Sequence, residues 1–114
     1  MNRKKSKQVE APPEMAGLNL TRQEWMSHAA ELGCIICGGY AAIHHLRDSV
    51  GMGQRADDYR TVPLCPRHHQ YGTFRDPAIH SHPAEFIERY GSEVELWLKT
   101  IELVKRKIQQ ERLW

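Results

Sequence analysis

The sequence predicts a small α+β domain, and three observations carry that reading. Two chelating pairs, Cys34-x-x-Cys37 and Cys65-x-x-His68, bracket two short β-like runs. A capped helical pattern leads into the first pair. A long helical pattern with one apolar stripe closes the chain.

Thr21 and Glu24 form a capping-box pattern, and Trp25, Met26, Ala29 and Leu32 recur at helical spacing, so a helix over about 22 to 32 is expected before Gly33. Tyr40 to Leu46 reads as a short strand, a Gly-rich loop GMGQRADD follows, and Tyr59 to Leu64 reads as a second strand. From Pro66 a helix begins, interrupted by Gly72 to Asp76. Pro83 suits the first position of another helix, which Gly91 ends at Tyr90. Ser92 with Glu95 is a second capping box, opening a helix to about Arg112 whose stripe of Val94, Trp97, Leu98, Ile101, Val104 and Ile108 marks one buried face, for the core or for a homodimer.

At 114 residues the chain fits one domain with a thin core, so a staple beyond apolar packing is expected. Residues 1–17 hold Arg3, Lys4, Lys5 and Lys7 with Pro12, Pro13 and Gly17, and read as a flexible basic tail on a domain spanning 18–114. Those four account for a quarter of the 16 basic residues, which leaves twelve against 14 acidic ones beyond them. Bulk charge therefore does not identify a nucleic-acid binder. No apolar run approaches the ~20 residues of a membrane span, and the first residues lack the apolar core of a signal peptide. A cytoplasmic protein without a membrane partner is expected.

Three cysteines cannot pair among themselves, which favours metal binding. In each chelating pair the two intervening residues let both side chains reach one tetrahedral ion, and 27 residues separate the pairs. Three thiolates and one imidazole make the closed shell of structural zinc. A redox role for Cys34-Ile-Ile-Cys37 would need a βαβ setting, which the pattern does not show.

Other histidines set the chain apart from a plain zinc ribbon. His44 and His45 end the first strand, His69 follows the zinc ligand His68, and His80 and His82 lie after a short loop. Zinc would carry His44, His45 and His69 into one neighbourhood. Adjacent strand residues face opposite ways, so one of His44 and His45 can ligate a metal while the other acts as a base. On a helix, His69 is turned about 100° from His68 toward a second site.

The order Cys-x-x-Cys, strand ending in His-His, Gly-rich loop, strand, Leu-Cys-x-x-His-His, helix resembles the HNH (ββα-metal) nucleases. More narrowly, AAIHHLRDSVGMGQRADDYRTVPLCPRHH is similar to the phage and prophage HNH proteins related to the RecA-dependent Ref nuclease. The resemblance covers about residues 30 to 90. It implies a zinc-stabilised ββα-metal core with flanking N-terminal and long C-terminal helices, and a metal-dependent DNA endonuclease in a bacterial host cell.

Position by position, the resemblance makes His44 a ligand of the catalytic metal, His45 the general base, Asp58 the residue that orients the hairpin loop, and His69 the first helix ligand. One turn beyond His69, where many members carry another ligand, this chain has Thr73. His80 is the candidate in its place, with His82 as substitute. Arg47 and Arg55 are candidate phosphate contacts. The resemblance implies Mg2+ or Mn2+ as the working ion, whereas imidazole ligands suit softer metals such as Zn2+. It implies DNA as the partner, and a RecA-type recombinase filament beside it. RNA fits the residues as well, and so does a non-catalytic zinc-stabilised DNA-binding module.

Overall fold

The computed structural model describes residues 10–47 and 57–113. Among them the chain builds a small α+β domain of four α-helices and one two-stranded antiparallel sheet. Helix α1 spans Arg22–Leu32, strand β1 Ala42–His45, strand β2 Thr61–Leu64, and helices α2, α3 and α4 span Pro66–His69, Pro83–Tyr90 and Glu93–Glu111. No helix among the described residues is long and apolar enough to cross a membrane.

Local chemistry sets these boundaries. Both expected capping boxes form: Thr21 accepts from the Glu24 amide and Glu24 returns the bond, and Ser92 and Glu95 do the same at α4. Pro66 and Pro83 occupy first-turn positions, where a missing N–H costs nothing. Gly33 ends α1 at φ +82°, and a Cβ there would lie 2.6 Å from the Gly38 carbonyl oxygen, so the entry to the cysteine turn admits only glycine.

The strands pair His44 with Val62 and His45 with Thr61. Pro63 is tolerated in β2 because a two-stranded sheet has only edges, and its carbonyl accepts from the Ile35 amide of the cysteine turn. Both strands are shorter than the patterns suggested. All four β2 residues are buried, because α1 and α4 pack over the strand.

Two tryptophans hold the approach to β2. Trp25 Nε1 of α1 donates to Thr61 Oγ1 at 2.9 Å, and Trp97 Nε1 of α4 donates to the Tyr59 carbonyl at 2.8 Å. Truncating either buried indole would cost roughly 3–5 kcal/mol.

Packing corrects two expectations. Docking begins before residue 17: Pro13–Met15 forms a 3-10 turn, and Pro12 and Met15 are both buried, so two apolar side chains anchor a stretch that lacks a hydrophobic period. The buried face of α4 is Glu93, Leu96, Trp97, Thr100, Ile101 and Val104, while Val94 and Leu98 are 37% and 45% exposed. The helix is rolled so that Glu93 and Thr100, both polar, face inward. Thr100 meets its hydrogen-bonding need locally, donating to the Leu96 carbonyl at 2.7 Å.

Candidate metal centres

The run Cys65–His69 joins β2 to α2 and supplies donors to two clusters. In the first, Cys34, Cys37, Cys65 and His68 bring one donor atom each within 4.8 Å of the others. Cys37 Sγ and Cys65 Sγ lie 3.7 Å apart, Cys65 Sγ and His68 Nδ1 3.3 Å, and Cys34 Sγ and His68 Nδ1 3.8 Å. Zinc–sulfur bonds of about 2.3 Å at tetrahedral angles give sulfur–sulfur edges of about 3.8 Å. The set could therefore hold a metal ion such as zinc.

Its surroundings suit a closed, structural role. Cys34, Cys65 and His68 are buried, and the Ile36 amide points at Cys34 Sγ from 3.4 Å. Burial pushes the Cys34 thiol up, while the Gly39 backbone amide holds that of Cys37 below its ordinary value. His68 turns its other nitrogen, Nε2, to Asp76 Oδ1 at 2.8 Å. Tyr90 donates to that same oxygen at 2.8 Å and Arg67 pairs with the other, and these partners hold the Asp76 carboxyl below the usual carboxylate range. Asp76 thus fixes the tautomer and plane of His68, a role that the sequence alone did not reveal.

The second cluster is His44, His69 and His80. His69 Nε2 and His80 Nε2 stand 3.1 Å apart, and the His44 ring centroid lies 5.1 Å from that of His69 and 5.2 Å from that of His80. Three convergent imidazoles with an open side suit a cation that keeps free coordination positions. Burial, then His44, His80 and Arg47, lower the His69 pKa to about 4. Burial and the Arg47 charge also lower that of His80. Near neutral pH both rings are free bases, the form a metal requires.

A pair of backbone bonds places His80. The Ile79 amide donates to the His68 carbonyl at 2.9 Å, and the His80 amide to the His69 carbonyl at 3.0 Å. His82 stands outside the cluster: it precedes α3 without a capping bond, meets Ser81, and its ring lies tilted against that of Phe74.

His44 is almost fully buried, and its Nε2 lies 2.9 Å from Glu93 Oε2. Glu93 also accepts from the Arg47 amide at 2.6 Å. The first turn of α4 favours this carboxylate through the helix dipole. With Nε2 so engaged, Nδ1 is the nitrogen left for His44 to offer a metal. Glu93 gave no signal at the sequence level, where acidic residues in a first turn read as ordinary surface.

His45 Nε2 lies 2.8 Å from Asp58 Oδ1. The Asp58 backbone is itself held, since Thr61 Oγ1 donates to its carbonyl while accepting from Trp25. Ile43, His44, His45, Arg47, His69 and His80 line one open concavity of about 240 Å³. Arg55 lies outside the described residues. A third group, His28, Glu31 and Glu111, is occupied by Lys107, whose Nζ lies 2.8 Å from His28 Nδ1, 2.6 Å from Glu31 and 3.0 Å from Glu111.

The Uncharacterized protein YdfU of Escherichia coli (strain K12) is 35% identical over 72 residues, covering 60% of this chain and 19% of its own length. The chain therefore matches only about a fifth of that relative. No solved structure matches. The family model described as "Protein of unknown function (DUF968)" matches residues 13–106, which takes in both clusters and most of α4, and the chain belongs to that family.

Proposed function

We propose that the protein is a metal-dependent endonuclease of the HNH (ββα-metal) type that hydrolyses DNA phosphodiester bonds. Cys34, Cys37, Cys65 and His68 hold a structural zinc in this reading, and His44, His69 and His80 hold one catalytic cation. One observation carries it. A carboxylate-paired histidine, His45 with Asp58, lines the same concavity as the three convergent imidazoles.

His44, His69 and His80 would hold a divalent cation, which would supply neutralising charge for the transition state of phosphoryl hydrolysis. His45 supplies the base. Its Nε2–H donates to Asp58, which leaves Nδ1 unprotonated and able to take a proton from water. Asp58 then stabilises the imidazolium that forms. Glu93 strengthens His44 as a donor and fixes its plane. Arg47, at the rim with its side chain 48% exposed, can grip a phosphate oxygen. Among the described residues no carboxylate lines the concavity, which favours one metal over a pair bridged by aspartates.

Nicking of supercoiled DNA by the zinc-loaded chain with magnesium, manganese or zinc, with and without a RecA-type filament, tests this reading. His45→Ala is expected to slow nicking by about 10²–10⁴-fold while melting temperature and zinc content stay unchanged. Wild-type protein inert under every condition would overturn it and leave a zinc-stabilised DNA-binding module.

A further inference from the structure

The loop between His69 and His80 exposes two large rings, Tyr71 at 72% and Phe74 at 70%. It is nevertheless a built element. A Cβ on Gly72 would fall 2.2 Å from the Ala78 amide nitrogen, Thr73 and Asp76 close a tight turn on each other, and Pro77, Ala78 and Ile79 are buried. The rings therefore stand on a fixed scaffold. Phe74 also packs against His82 with ring centroids 5.0 Å apart.

Both rings are close in sequence to ligand candidates of the trihistidine cluster. Tyr71 follows His69 by two residues, a reach of at most about 7 Å along the chain. Phe74 leans on His82, two residues beyond His80. Guanidinium groups border the loop, although that of Arg67 is paired with Asp76. Arg67 and Arg75 are exposed, and Arg89 donates to the Arg75 carbonyl, which brings a third guanidinium to the loop. The loop's acidic side chain, Asp76, is committed to His68, Tyr90 and Arg67.

Exposed rings among guanidinium groups match the chemistry of unstacked bases on a phosphate backbone. A closed duplex offers no base face to such rings. We propose that Tyr71 and Phe74 form a stacking platform that delivers single-stranded nucleic acid to the concavity. The proposal rests on the nuclease reading for what happens next, but not for the binding itself.

The test is fluorescence anisotropy of the zinc-loaded full chain in a His45→Ala background without added magnesium. The probes are oligothymidine and oligouridine of roughly twenty nucleotides and a hairpin duplex. Tyr71→Ala with Phe74→Ala is expected to weaken single-strand binding by about tenfold or more and duplex binding by less than about twofold, while Tyr71→Phe with Phe74→Tyr keeps wild-type affinity. The two single-strand probes separate DNA from RNA. Equal losses on duplex and single strand, no loss at all, or no single-strand binding by the parent would overturn the platform. Ring-dependent binding without plasmid nicking leaves the platform standing and removes the nuclease reading. Nicking with ring-independent binding does the reverse.

Discussion

The two donor clusters draw on adjacent residues of one run, yet they are built for different duties. His68 points inward among three cysteines, where it, Cys34 and Cys65 are buried, Asp76 and Tyr90 support the ring, and only Cys37 reaches the surface. His69, one residue on, meets His44 and His80 in an open concavity. The first cluster ties the α1 side of the chain to β2 and α2. The second uses the position that this tie creates. A helix of only four residues can serve both because successive side chains diverge by about 100°.

The largest expected effect falls on the closed cluster. Cys65→Ser should leave the chain unfolded at 25 °C with no bound zinc, whereas His69→Ala should keep both fold and zinc. Circular dichroism melts with metal analysis separate the two. A folded Cys65→Ser protein would mean that apolar packing suffices and the staple is dispensable.

A smaller effect is expected at the open cluster. Glu93→Gln should weaken loading of the second metal by about 10–100-fold, read by titration calorimetry on zinc-loaded protein, with the first metal unaffected. Unchanged affinity would reduce Glu93 to a structural partner of the Arg47 amide.

The smallest concerns pH. The folded-state pKa of His69 lies near 4, below its ordinary 6.5, so between those values the unfolded chain binds more protons. His69 therefore contributes stability that is complete above pH 6.5 and lost as pH falls toward 4. Replacing it with Asn should flatten the acid limb of a melting-temperature profile measured without the second metal. An unaltered limb would show that the ring titrates normally.

Much of the scaffold was legible because its signals are local. The capping boxes at Thr21 and Ser92, the prolines at positions 66 and 83 and the glycines at 33 and 91 each set their own boundary. The closed cluster was legible for the same reason, since two residues between ligands dictate shared geometry. Glu93 and Asp76 were not, because each earns its role from a partner 49 or 8 residues away. Val94 and Leu98 fit an apolar period as well as Leu96 does. Only the inward pull of Glu93 and Trp97 decides which side of α4 is buried.

The paired bonds that join Ile79 and His80 to the carbonyls of His68 and His69 make the last ligand a matter of register, not of contour length. A ligand one helical turn along would be locked to a fixed interval in sequence. Here those two rungs fix His80 beside His69 across a turn that Gly72 and Asp76 hold in shape. The exposed rings of Tyr71 and Phe74 are thereby carried on a turn pinned at both ends to the two donor clusters.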